Sequence, residues 1–117
     1  MLYTTTINNN KDYLSIYKKA EYTAGKYVVI YVRKNNLPFN RLGITAGKKV
    51  GGAVERNRAK RLIRQVYRTH EIELPVGIDI VIVARNALTE IKCQILDGYM
   101  VKKGIPEIKR IAERFKK

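Results

Sequence analysis

Residues 53–68 read AVERNRAKRLIRQVYR, in which six positions are Arg or Lys and only Glu55 carries the opposite charge. Arg outnumbers Lys five to one in this run. The planar guanidinium fork suits bidentate contact with phosphates and base edges, so the chemistry available here is the binding of a polyanion. A glycine-rich basic loop precedes it: Lys48 and Lys49 stand among Gly47, Gly51 and Gly52. Glycines allow close backbone approach to a phosphate, and equally make an ordinary strand-to-helix turn. The loop lacks the Gly-Lys-Ser/Thr ending of a P-loop, which argues against ATP binding.

Catalytic groups are harder to find. Asp12, Glu55 and Asp79 form no paired constellation in the sequence. His70 is the sole histidine, has no neighbouring Cys or Ser, and reads as a helix C-terminal residue favoured by the dipole. Two-metal phosphoryl chemistry needs several placed carboxylates, which the sequence does not suggest. No protein-bound metal site is expected. The single cysteine, Cys93, builds neither a disulfide framework nor a zinc site and reads as a small core residue.

Rings are a second resource: the chain has eight Tyr, two Phe and no Trp. Tyr13 and Tyr17 are one helical turn apart, and Tyr31 lies in a strand-like run. Rings beside cations hold single-stranded nucleic acid by base stacking. Core packing explains Tyr13 and Tyr17 equally well at this stage, and it is the preferred reading for Tyr27 and Tyr99.

The basic run must be positioned by something. On a helical wheel Ala59, Leu62, Ile63, Val66 and Tyr67 share one face, while Arg56, Asn57, Lys60, Arg61, Arg64 and Arg68 gather on another. Arg58 stands apart from that arc. Arg56, Lys60 and Arg64 recur at every fourth position, where like charges cost a few tenths of a kcal/mol per pair in an isolated helix. An apolar face docked on a sheet and a bound polyanion would each offset that cost.

Elsewhere the pattern predicts a helix over 10–20, capped by Asn10 or Asp12, and a strand over 27–32 covered on both faces. A turn follows over 34–40 and a partner strand over 41–45. A second strong strand spans 78–84. Helices follow over 88–103 and 106–116, broken at Gly104–Pro106.

The 117 residues fit one domain, 1–117, with 45% hydrophobic residues for its core. The 24 Lys and Arg exceed the 10 Asp and Glu, for a formal net charge of +14. Nucleic acid is the expected partner, because cations near phosphates release condensed counterions. No stretch approaches the roughly 18 apolar residues of a spanning helix. The N-terminus does not read as a secretory signal. A cytoplasmic location without a membrane partner is expected.

Residues 41–68, RLGITAGKKVGGAVERNRAKRLIRQVYR, resemble the signature of the protein subunit of bacterial ribonuclease P. That signature runs from a strand through a Lys-Lys-x-Gly loop into an Arg-Asn-Arg helix followed by Lys-Arg and a further Arg. Here the matching residues are Lys48, Lys49, Gly51, Ala53, Val54, Arg56, Asn57, Arg58, Lys60, Arg61 and Arg64. The likeness extends through the first helix and strand and to GIDIVIVARNAL, leaving the last dozen residues unmatched. This chain departs in having Gly47 where the family often has Ser, Gly52 where it often has Asn, and Tyr13 and Tyr17 in place of phenylalanines.

The resemblance implies an α/β (α+β sandwich) fold like a ribosomal-protein domain. Its mixed four-stranded sheet has the order α-β-β-β-α-β-α, with a left-handed crossover through the basic helix. It also implies an endoribonuclease whose catalyst is the RNA subunit, removing the 5′ leader of precursor tRNA with Mg²⁺ bound mainly by RNA. Lys48, Lys49, Arg56, Asn57, Arg58, Lys60, Arg61, Arg64 and Arg68 would contact the RNA subunit. Tyr13, Tyr17 and Tyr31 would hold the single-stranded leader. No protein partner is predictable. A structural ribosomal RNA-binding protein of similar fold is the alternative, and a stand-alone nuclease is disfavoured by the missing catalytic constellation.

Overall fold

The computed structural model describes residues 3–115. Five strands form one mixed sheet: β1 (Thr4–Thr6), β2 (Glu21–Ala24), β3 (Val28–Lys34), β4 (Asn40–Ala46) and β5 (Ile78–Ala84), in the spatial order β1-β4-β5-β3-β2. β4 runs parallel to both β1 and β5; β3 is antiparallel to β5 and to β2. Helix α1 (Asn10–Lys19) connects β1 to β2, and α2 (Ala53–His70) is the crossover between the parallel strands β4 and β5. Helices α3 (Cys93–Tyr99) and α4 (Ile105–Arg114) end the chain.

The fifth strand corrects the four-stranded expectation. Thr4, Thr5 and Thr6 pair with Asn40, Arg41 and Leu42. Three threonines carry no apolar alternation, so nothing local announces the strand. The buried end of α2 holds it: the Glu71 carboxylate accepts from the Tyr3 amide at 3.0 Å and from the Thr4 hydroxyl, which also meets the Tyr67 hydroxyl at 2.7 Å.

Alternation along the strands divides the sheet into two faces. Val28, Ile30 and Val32 of β3, with Ile78, Ile80 and Ile82 of β5, enter the main core beneath α2, α3 and α4. Val81 faces the other way, with Ile7 and Ile16, beneath α1. One helix cannot cover a whole face. β3 was expected to be covered on both sides, yet Val29, Tyr31 and Arg33 are only half-buried. That uncovered strip is where the tyrosines gather.

Most helix limits follow the sequence expectation, with local corrections. The cap of α1 is Asn9, whose side chain accepts from the Lys11 amide at 2.8 Å, rather than Asn10 or Asp12. The segment 86–90 is a 3-10 turn, so the expected helix over 88–103 begins only at Cys93. The expected break at Gly104–Pro106 is instead a π-helical turn over Met100–Gly104, in which the Ile105 amide donates to the Met100 carbonyl. Widening one turn accommodates Pro106, which has no N–H and whose ring would press on the preceding turn. Ile105, Ile108 and Ile111 of α4 are buried in the main core. Lys116, the last residue of the expected final helix, lies outside the described residues.

His70 fastens the end of α2 to α3. Its Nδ1 lies 2.5 Å from Glu73 Oε2 and its Nε2 lies 2.6 Å from Asp97 Oδ1. Burial alone would lower its pKa, but the hydrogen bonds and charges of Glu73 and Asp97 outweigh this and raise it. A raised folded-state pKa means stability that is fully present below the unfolded value, about 6.5, and lost as pH rises through the folded value. Urea unfolding of the native chain and His70→Ala between pH 5.5 and 9 is therefore expected to show a stability gap that narrows as pH rises. A gap that is constant or widens would contradict the bridge.

Candidate RNA interface

The apolar face of α2 is docked as the wheel requires. Ala59, Leu62, Ile63, Val66 and Tyr67 are buried, and the helix reaches two residues beyond the predicted 53–68. Arg61, Arg68 and Asn57 are exposed, and Arg56, Lys60 and Arg64 are half-exposed beside them. Arg56 makes only a long hydrogen bond, 3.4 Å from Nε to the Gly52 carbonyl.

The ion pairs lie elsewhere. Arg33 and Arg41 join Asp79, Arg41 also joins Asp12, Arg110 joins Glu107 and Arg114 joins Glu21. No cation of the α2 stripe has an acidic partner among the described residues. The like-charge cost along the helix is therefore met by core docking alone, and the stripe stands ready for a polyanion.

Arg58 is engaged differently. Its Nη1 donates to the Thr89 carbonyl at 2.8 Å and its Nη2 to the Ile91 carbonyl at 3.1 Å. This ties α2 to the turn before α3. Its separation on the wheel has a physical explanation: the side chain satisfies loop carbonyls on the flank away from the stripe.

Lys48 and Lys49 are exposed on a 3-10 turn, Lys48–Val50, anchored by the buried Val50. Gly51 then takes φ +142°, a conformation L side chains rarely adopt, and a Cβ there would meet Glu55 Cβ at 2.9 Å. The turn thus fixes where the two lysines stand relative to α2. They line an open pocket of about 510 Å³ with Gly47, Val83, Arg85 and Asn86. Arg85 was absent from the sequence-predicted site. Its Nη1 donates to the Gly25 carbonyl at 2.8 Å, which holds it at the end of β5. Its position directly after the predicted strand 78–84, level with the loop after β4, was the available signal.

The tyrosines come together on the α1 side of the sheet. The Tyr13 and Tyr17 ring centroids are 6.3 Å apart, Tyr17 and Tyr31 are 5.0 Å apart, and Tyr31 and Tyr22 are 5.6 Å apart. Tyr22 was missed in the sequence because residues 21–24 were given no strand. A hairpin closing near Gly25 pairs Tyr22 with Tyr31 across β2 and β3. Tyr17 is 38% exposed and Tyr22 63% exposed, so both offer ring surface. Tyr13 is more confined. A Cβ on Gly43 would meet its ring at 2.6 Å, and its hydroxyl donates to the Ile7 carbonyl at 3.1 Å. Burial pushes its phenol pKa up, with the neighbouring Tyr17 adding to the rise. Tyr27 and Tyr99 pack edge to face at 5.8 Å against the main core, as expected of core rings.

Among the described residues no cluster of three or more His, Cys, Asp or Glu could hold a metal ion. The most buried acid, Asp79, has its oxygens occupied by Arg41, Arg33 and Asn35. This donor set does not suit a resident Mg²⁺. No helix among the described residues is long and apolar enough to cross a membrane.

Known proteins share this architecture. The family described as Ribonuclease P matches residues 1–103. The ribonuclease P protein component of Natranaerobius thermophilus is 39% identical over 92 residues, covering 76% of this chain and 80% of the relative. That of Lachnoclostridium phytofermentans is 48% identical over 80 residues, covering 68% and 69%. The Staphylococcus aureus RNase P protein structure superposes with a TM-score of 0.78 at 30% identity, over 91% of this chain and 95% of the other. The Thermotoga maritima RNase P protein gives 0.77 at 30% identity, over 91% and 96%. The match spans the basic loop, the Arg-Asn-Arg helix and every strand, and the chain therefore belongs to the ribonuclease P protein family.

Proposed function

We propose that this chain, as the protein subunit of ribonuclease P, binds two RNA surfaces at once. The exposed stripe of α2, with Lys48 and Lys49, docks the RNA subunit. The tyrosine row on the α1 side of the sheet holds the single-stranded 5′ leader of precursor tRNA. The observation that carries this reading is the unpaired stripe of cations on a rigidly docked helix, in a molecule whose carboxylates are largely engaged elsewhere. In this reading cleavage of the phosphodiester falls to the RNA subunit and its Mg²⁺, as the resemblance to the family implies, and the protein assists it. Its contribution is positional: screening RNA–RNA repulsion and fixing the leader relative to the scissile bond. The cytoplasm is the proposed site of this work.

Reconstitution tests the reading. With the cognate RNA subunit at low Mg²⁺, adding the protein is expected to stimulate release of the leader and production of the mature 5′ end. Absence of stimulation would overturn the proposal, and cleavage by the protein alone would place catalysis in this chain.

The leader arm has its own test. Tyr17→Ala is expected to weaken leader-bearing precursor by about 1–3 kcal/mol, the loss of one base stack, and to leave mature tRNA unaffected. Equal losses for both RNAs would return Tyr17 to a structural role. Tyr13→Ala provides the contrast, since losing its packing on Gly43 and its bond to the Ile7 carbonyl should lower the melting temperature.

A further inference from the structure

Helix α1 lies across the sheet like a bar, and its two flanks differ. Tyr13 and Tyr17 face the tyrosine row. Asp12, Ser15 and Lys19 lie along the other flank, which borders an ionic pocket of about 410 Å³ lined by Lys19, Arg33, Lys34, Asn35, Arg41, Asp79 and Phe115. Its floor is Asp79, 0% exposed. Oδ1 of that carboxylate accepts from Arg41 Nε at 2.8 Å and Asn35 Nδ2 at 3.0 Å. Oδ2 accepts from Arg41 Nη2 at 2.7 Å and Arg33 Nε at 3.0 Å. Arg41 Nη1 reaches Asp12 at 3.2 Å, and Arg33 Nη1 donates to Ser15 at 2.8 Å.

This network spends the Asp79 carboxylate completely and leaves cationic donors over. Arg33 Nη2 and the ammonium groups of Lys19 and Lys34 have no partner among the described residues. Four cations, Lys19, Arg33, Lys34 and Arg41, therefore line a pocket with one carboxylate, Asp79, and the unused donors surround open volume. A saturated carboxylate beneath fixed guanidiniums acts as a pedestal: it holds Arg33 in place without competing for an incoming anion.

We propose that this pocket is a second RNA-backbone site, taking a phosphodiester of single-stranded RNA on Lys19, Lys34 and Arg33 Nη2. The proposal rests on the leader-binding reading above and extends its path across α1. Lys19 follows Tyr17 by two residues, about 3 Å of helix rise but on the opposite flank, so a strand stacked on Tyr17 reaches the pocket by crossing over the C-terminal end of α1. Phe115, packed against the main core, also lines the pocket.

The test uses the intact protein and labelled single-stranded RNA, followed by anisotropy across a salt series. Lys19→Ala/Lys34→Ala is expected to flatten the salt slope by about 0.7, one single-strand phosphate contact, and to weaken binding about tenfold at 0.15 M salt. Lys11→Ala/Lys18→Ala removes the same charge from the outward face of α1 and is expected to change affinity less than twofold. All four lysines are exposed, so melting temperatures should stay matched. Tyr17→Ala, measured in parallel, separates the two readings. A loss there with unchanged binding by Lys19→Ala/Lys34→Ala overturns the pocket and leaves the leader reading standing. Loss in neither overturns both. Inorganic phosphate, titrated while side-chain NMR shifts are followed, distinguishes the source. Phosphate-induced shifts at Lys19 and Lys34, combined with RNA binding indifferent to their removal, would identify a free-phosphate site and overturn the RNA assignment.

Discussion

Asp79→Ala is expected to cost about 3–5 kcal/mol of folding stability, because it leaves two arginines facing each other in the sheet without their shared counter-ion. The carboxylate is fully buried, and Arg33 and Arg41 approach it from adjacent strands. Against a typical total of about 5–15 kcal/mol, that loss is visible in any denaturant titration. The same site predicts a pH dependence. Burial alone would raise the Asp79 pKa, but the hydrogen bonds from Arg41, Asn35 and Arg33 outweigh it and hold it below the usual carboxylate range. A lowered folded-state pKa gives stability that is present above the unfolded value, about 3.9, and lost as pH falls through the folded value. Unfolding free energies of the native chain and Asp79→Ala should converge in strong acid. A variant as stable as the native chain at neutral pH would refute the account.

The second large effect concerns binding. Lys60→Ala/Arg61→Ala/Arg64→Ala is expected to weaken the complex with the RNA subunit about a hundredfold at 0.15 M salt and to flatten the salt slope by about two to three units, one contact per cation. Exposure and the absence of acidic partners make this a clean experiment: none of the three holds the fold together, so melting should be nearly unchanged. A small rise in stability is physically reasonable, since alanine removes repulsion between residues one turn apart. Arg58→Ala should behave in the opposite sense, with a loss of stability from two unsatisfied carbonyls, at Thr89 and Ile91, exceeding its effect on the salt slope. Unchanged salt slopes for the triple variant would argue against phosphate contact along the stripe.

How much of this was readable beforehand depends on how local the signal is. α2 was legible nearly to its ends. Its apolar and basic residues repeat with the helical period, and the segregation is a property of the segment itself. The strand 78–84 was likewise explicit, a β-branched run introduced by Pro75 and Gly77. β1 was not, because Thr4–Thr6 is specified by pairing with Asn40–Leu42 and by Glu71, all distant in the chain. Tyr22 escaped for a related reason, since its neighbour Tyr31 is set by hairpin register rather than by helical spacing.

The sequence by itself determined the basic helix, the face it buries, the major strands and the resemblance that the comparisons bear out. These follow from periodicity and from fixed types at fixed spacing within short stretches. Only the tertiary structure decided which charges are spent and which are free. Asp79 meets Arg33 and Arg41 across 46 and 38 residues of chain, and Arg58 turns to carbonyls across 31 and 33. A carboxylate's partner is fixed by distance in space, which falls with folding and not with sequence separation. The same folding left the stripe of α2 unpaired and carried α1 across the sheet, with rings on one flank and a basic pocket on the other.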